Sequence, residues 1–195
     1  TSVIVTSPES SDFKEYSGDV VIPATVTYED VAYDVVQINY NAFSSCIALT
    51  SVVIGENITF IPEGVFSGCV NLESIKVSEG NLNYNSRNDC NAIIQSSALL
   101  HGCQNTGIPQ DVTTIEARAF EGMTNLKSIV IPSQVSTIYD MAFAGCTGLT
   151  EIYCEGYPPT ISYNTFENVD RTIPIRVSYA AELDRPLPGR TVDVT

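Results

Sequence analysis

Apolar residues recur along this chain at fixed offsets, with a period of 23 residues. The fullest copy surrounds Phe143. With that residue as zero, Ile131 falls at −12, Val135 at −8, Ile138 at −5 and Ala142 at −1. Cys146 follows at +3, Leu149 at +6, Ile152 at +9 and Cys154 at +11. The same register fits around Phe43, Phe66 and Phe120, and an eroded copy surrounds Phe166, with Ile161 before it and Ile175 and Val177 after. Ile54 and Ile131 each end one copy and begin the next, so the units are contiguous.

The tail of each unit, as in Leu149-x-x-Ile152-x-Cys154, closes on the two-residue spacing of a strand whose alternate side chains enter a core. The preceding Ala-Phe-x-x-Cys-x-x-Leu, spaced at three and three, predicts a short helical turn that puts Phe, Cys and Leu on one side. A period of 23 falls within the range of leucine-rich repeats. One such coil cannot bury its own apolar face, whereas stacked coils bury a continuous one. The expected fold is an α/β leucine-rich repeat solenoid, right-handed, with short and mostly parallel β-strands on one side and helical or turn segments on the other. A β-hairpin N-cap and a C-terminal cap should close it. Phe43, Phe66, Phe120 and Phe143 are expected to stack in a buried column.

The motifs AFSSC-IALTSVVI, VFSGC-VNLESIKV and AFAGC-TGLTEIYC, together with the variant stretch 88–120, are similar to those of the BspA-like leucine-rich repeat proteins. These are surface and secreted proteins of Bacteroides-like bacteria and some protozoa. The resemblance covers roughly residues 18–180. It implies a cell-surface or secreted location, the leader being absent from this chain. It also implies a role in adhesion through a host extracellular protein or a glycan, and no shared catalytic residues.

Residues 1–19 form an N-terminal segment with a strand-like start at Val3-Ile4-Val5 and a loop-like Ser7 to Ser11. The repeat domain is placed at 20–177, including a hairpin cap at 20–36 that turns at Glu29-Asp30. From Phe66 to Phe120 the distance is 54, which is 23 plus 31, so one unit is enlarged. Its insert, 78–107, is turn-rich and ends in two apolar triplets, Ala92-Ile93-Ile94 and Ala98-Leu99-Leu100. It reads as a hairpin standing off the stack, and such insertions often mark a binding face. Residues 178–195 are assigned to a C-terminal cap and tail, with a short helix at Tyr179 to Leu183 and a poorly ordered Pro186 to Gly189.

Charge narrows the function. Nine Lys and Arg against 23 Asp and Glu give −14, which leaves no basic stripe for nucleic acid or an anionic membrane. No apolar run is long enough to span a bilayer. Of the six cysteines, Cys46, Cys69 and Cys146 share an offset that Met123 also fills, so they read as buried thiols rather than staples. Cys90 and Cys103 lie outside the register.

His101 is the sole histidine. A Cys103–His101 nucleophile pair has no third orienting group in sequence reach, so no enzyme, cofactor or metal site is expected. The acidic clusters Glu29-Asp30 and Glu167 to Asp170 lack calcium-loop spacing. The sequon Asn57-Ile58-Thr59 reads as incidental.

The candidate binding residues are geometric. Offsets +9 and +11 face the core, so +10 faces out, and it reads Val53, Lys76, Val130, Tyr153 and Arg176. These five are the tentative ligand-binding column of a monomeric, non-catalytic binding module. The alternative is a structural spacer or assembly segment of a larger surface protein.

Overall fold

The structure, a computed structural model, describes residues 2–6 and 16–178. In chain order the strands are β1 (Ser2–Val5), β2 (Gly18–Val21), β3 (Thr25–Tyr28), β4 (Val31–Ile38), β5 (Leu49–Ile54), β6 (Ser74–Val77) and β7 (Ala92–Gln95). They continue with β8 (Ala98–Gly102), β9 (Thr114–Ile115), β10 (Ser128–Ile131), β11 (Thr137–Ile138), β12 (Glu151–Cys154), β13 (Thr160–Ile161) and β14 (Ile175–Val177). Each regular unit therefore gives a long strand near its end and a two-residue strand near its start. Both pair in parallel with the next copy: Ile129 opposite Ile152 opposite Ile175, and Thr114 opposite Thr137 opposite Thr160. The expected alternation holds, with Val52, Ile54, Ile75, Ile129 and Ile152 buried beneath the long strands.

The third side of each coil is a turn, not a helix. Cys46, Cys69, Met123 and Cys146 each donate their amide to the carbonyl of the Phe three residues back. The helix stops there because the backbone turns left-handed on both sides of the Phe. At −2 stand Asn41, Gly64, Arg118 and Met141, and at +2 stand Ser45, Gly68, Gly122, Gly145 and Asn168, all with φ between 56° and 75°. A segment this short between two positive-φ residues cannot nucleate a helix. Glycine takes the +2 position in three coils because a Cβ is disfavoured at that φ. Among the described residues only Arg87–Asp89 forms a helical element, a 3-10 turn.

Successive turns are joined by backbone hydrogen bonds. Ser45 N donates to Ser67 O, Gly68 N to Glu121 O, Gly122 N to Ala144 O and Gly145 N to Glu167 O. At this offset the Phe120 turn thus lies directly on the Phe66 turn, while the enlarged unit meets the wall through Gly102 N, which donates to Ala119 O.

Its insert goes instead into the other two walls, which corrects the expectation of a hairpin standing off the stack. β7 and β8 pair antiparallel and extend a five-stranded sheet of order β13-β11-β9-β8-β7. Ala92, Ile93, Ile94 and Leu99 are fully buried. The two apolar triplets supply more hydrophobic side chains than a free hairpin could keep from water, so the pair is drawn into the core. Asn81 anchors the polar lead-in. Its amide donates to Gly55 O and Ile58 O at 2.9 Å, and its carbonyl accepts from Asn83 N and Tyr84 N.

At the other end, β3 and β4 form the expected hairpin, with Glu29 and Asp30 at φ 48° and 60° in the turn. Two adjacent left-handed residues give the twist that a two-residue hairpin loop needs. β1 adds in parallel to β4, and β2 adds in parallel to β5. The expected loop at Ser7 to Ser11 and everything expected of Tyr179 onward lie outside the described residues.

The core is an aromatic column. Phe43 stacks on Phe66 at 5.3 Å, Phe120 on Phe143 at 4.9 Å and Phe143 on Phe166 at 5.3 Å, and Tyr16 lies tilted against Phe43 at 4.6 Å. Between the two halves stands His101, edge-on to Phe66 at 5.6 Å. The next residue, Gly102, meets Phe120, and a Cβ there would come within 2.1 Å of the ring. The enlarged unit thus replaces a phenylalanine with a smaller ring plus bare backbone.

All six cysteines are buried thiols. The +3 thiol is more than filler: Cys69 Sγ donates to Phe43 O at 2.9 Å and Cys146 Sγ to Phe120 O at 3.0 Å, each in the preceding coil. Burial pushes the Cys146 thiol up to about 12 and Cys154 up to about 11.

Two outcomes follow. Phe143→Ala removes a fully buried ring between two stacked neighbours and should destabilise the fold by about 3–5 kcal/mol in urea unfolding, since the column cannot collapse onto the space. A loss below about 1 kcal/mol would mean that the ring is not part of a tightly packed core. Titration with a thiol reagent should find Cys46, Cys69 and Cys146 unreactive in the native protein and fully reactive in denaturant. Native reactivity of any of the three would contradict the packing.

Candidate functional site

The five residues of the outward column all lie on long strands, but they do not form one ladder. Val53 stands beside Lys76 on β5 and β6, and Val21 of β2 joins them. Val130, Tyr153 and Arg176 form a second row on β10, β12 and β14. β6 and β10 belong to different sheets. The insert separates them: Gln104 N donates to Leu72 O, and Ser74 Oγ donates to Asn91 Oδ1. The period made Lys76 and Val130 look like neighbours, and the 31-residue interval beyond one period is what parts them.

The two rows differ in character. Val130 is 47% exposed beside a half-buried Tyr153. Arg176 Nε lies 2.6 Å from Glu151 Oε1, without an N–H aimed at the oxygen, so the contact is an ion pair and not an aligned hydrogen bond. Half-exposed as it is, the pair contributes at most about 1 kcal/mol, and a partner's carboxylate could compete for the guanidinium. On the other row Asp19 accepts from Ser51 Oγ at 2.6 Å and Thr50 Oγ1 at 3.1 Å, and these hydroxyls hold its carboxyl below the usual range.

The Cys103–His101 pair does not assemble. His101 Nε2 lies 3.0 Å from Pro62 O, and because a carbonyl only accepts, Nε2 carries the proton. Cys103 Sγ donates to Asn91 O at 3.4 Å, and burial pushes its thiol up, away from the thiolate a nucleophile needs. Among the described residues no group of three or more His, Cys, Asp and Glu is arranged to hold a metal. No helix among them is long and apolar enough to cross a membrane. The Asn57 amide of the sequon donates to Ala24 O and Asp34 Oδ1.

Sequence reasoning passed over two features. His101 was visible as a lone histidine, but nothing local signalled that it replaces a ring of the column. The polar residues at −2 and +1 of the turns, Arg118 and Glu121 above all, sit at offsets that carry no apolar signal and so escape a search for periodicity. Arg118 Nη1 donates to both carboxylate oxygens of Glu121 at 2.8 Å.

Comparison with known proteins fits the repeat reading. The model of the BspA-type leucine-rich repeat region matches residues 24–97 and 92–181, in six copies. The chain belongs to this family. Similar solved structures include a leucine-rich repeat protein from Eubacterium ventriosum, at 21% identity and a TM-score of 0.50, covering 82% of this chain and 48% of that one. Another is a leucine-rich cell surface protein from Faecalibacterium prausnitzii, at 20% identity and a TM-score of 0.50, covering 82% of this chain and 53% of that one. These likenesses show the shared leucine-rich repeat fold, and this BspA-type chain spans about half the length of both. Among curated proteins none matches.

In this BspA-type chain the buried His101 sets a pH response. Burial lowers its pKa from 6.5 to about 4, against the weaker opposing effect of its hydrogen bond to Pro62 O. Between those two values the unfolded chain binds more protons than the folded one, so stability falls as pH drops through that window. Between pH 7 and 4.5 the native chain should lose about 2–3 kcal/mol more stability in urea unfolding than a His101→Gln variant, whose amide can still donate. Equal losses in the two proteins would show that His101 is protonated in the folded state.

Proposed function

We propose that the chain is a non-catalytic binding module of a cell-surface or secreted leucine-rich repeat protein, recognising a protein in an adhesin-like manner or a glycan. Its coils wind as a right-handed solenoid, with the β3–β4 hairpin as the N-terminal cap. The observation that carries the reading is the outward row Val130, Tyr153 and Arg176, held at regular strand spacing on three parallel strands. Tyrosine and arginine are the side chains most often found as energetic anchors of interfaces. Lys76 and Val53 form a second, separate contact patch. The family and the presence of a cell surface protein among the similar structures support the location.

A spacer role is the second reading. It is favoured by β13 and β14 being the edge strands of their sheets among the described residues, and by Arg176 being already paired with Glu151. Such edges suit continuation into a neighbouring segment.

The intact chain should be tested against a panel of extracellular matrix and serum proteins and a glycan array. A partner of the strand face should lose at least tenfold in affinity on Tyr153→Ala or Arg176→Ala, and Lys76→Ala reports on the other patch. Each variant should melt within the range of ordinary surface substitutions. Blank panels would hand the function to the spacer reading.

A further inference from the structure

The turn wall holds a groove of about 600 Å³ that is distinct from the strand face. It exists because side chains are missing along its floor. Gly122 lies so close to Gly68 that a Cβ on it would come within 2.9 Å of the Gly68 Cα. At Gly64 a Cβ would approach the Arg118 stem to 3.0 Å, so the glycine lets that stem lie across the coils. Its polar lining comes from Asn41, Glu63 and Arg118 before the turn phenylalanines and from Ser44, Ser45, Ser67 and Glu121 after them.

The groove has fixed donors and acceptors. Glu121 is held by Arg118 Nη1 at 2.8 Å through both oxygens and by Ser67 Oγ at 2.6 Å. The Arg118 side chain is 41% exposed and lines the groove. The polar set ends at the next coil, where Met141, Ala144 and Gly145 take the equivalent offsets. It therefore spans three coils, about 10 Å at the spacing of parallel strands.

The chemistry discriminates between ligands. Glu63, Glu121 and the nearby Asp140 surround one guanidinium, so the field disfavours an anionic ligand. A peptide strand would need unpaired backbone amides, but those of Ser45, Gly68 and Gly122 are used between coils. No apolar side chain lines the groove. A vicinal diol, offering both donor and acceptor within one hydroxyl spacing, matches a carboxylate, a guanidinium, an amide and serine hydroxyls together. We propose that this groove is a second binding site, which takes a neutral oligosaccharide of two or three sugar units. The proposal rests on the reading of the chain as a binding module, but not on what the strand face binds.

Ligand-observed saturation-transfer NMR on the full chain tests it with maltotriose, cellotriose, N-acetylchitotriose and β-1,4-mannotriose, and with a lysine-rich peptide as the competing class. Ser44→Trp fills the groove without touching the Arg118–Glu121–Ser67 network. Arg118→Met removes the donors at an offset where Met141 already shows that methionine adopts the left-handed backbone. At least one trisaccharide should bind, both variants should weaken it at least tenfold, and Tyr153→Ala should leave it unchanged. Should Ser44→Trp fail to fold, Arg118→Met alone decides. Four silent trisaccharides, binding that ignores both groove variants, or binding of the peptide alone would each overturn the assignment. A silent trisaccharide set beside a protein partner lost on Tyr153→Ala would remove the groove site and leave the binding module standing.

Discussion

Parallel strands stand about 4.8 Å apart, and that one spacing governs the molecule. Stacked aromatic rings sit at nearly the same distance, as 4.9 Å between Phe120 and Phe143 and 5.3 Å between Phe143 and Phe166 show. Each coil can therefore give exactly one ring to the column while its strands pair on either side. A shift of one residue in a coil would turn its strand faces inside out and pull its ring from the stack. This coupling explains why the Phe, the +3 residue and the strand positions keep one register through four copies. It also explains the thiols: Cys69 and Cys146 lie one rise above a Phe carbonyl and donate to it.

The enlarged unit shows how much the spacing tolerates. It cannot add a ring without adding a full coil, and the turn wall leaves no room for one, because Gly68 and Glu121 are already hydrogen-bonded. The column is instead bridged by His101, edge-on to Phe66, with Gly102 bare beneath Phe120. A buried imidazole brings a polar atom into an apolar stack, and Pro62 O satisfies it. The extra chain then spreads through the two strand walls as β7, β8 and the stretch around Asn91 and Gln104.

Most of this was legible in the sequence, and the misses have physical causes. The period, the strand faces and the Phe column are written in residue type, because burial selects for it. Residue type leaves the third side open between helix and turn, because the deciding feature is backbone handedness. Gly64, Gly68, Gly122 and Gly145 hinted at positive φ, but Arg118 and Met141 adopt it at the same offset with no such hint. The insert was misplaced because its polar lead-in suggests solvent, whereas Asn81 carries its polarity inward by satisfying four backbone groups. The outward column was right in direction and wrong in continuity. Periodicity says which way Lys76 and Val130 point, but not that an insert parts them.

This asymmetry between walls bears on what the surface can recognise. On the strand side the insert divides the exposed row, so a rigid partner spanning all the coils would meet a break after β6. On the turn side the coils of Phe43, Phe66, Phe120, Phe143 and Phe166 follow one another with unbroken backbone contacts. The enlargement therefore shortens the strand face into two patches while it brings together, on the turn side, residues 54 apart in sequence, as Ser67 and Glu121 are. A contact such as Ser67 with Glu121 exists only because the intervening chain leaves that wall. Recognition that reads several coils at once finds its continuous surface there, and recognition by the strand face is confined to one patch at a time.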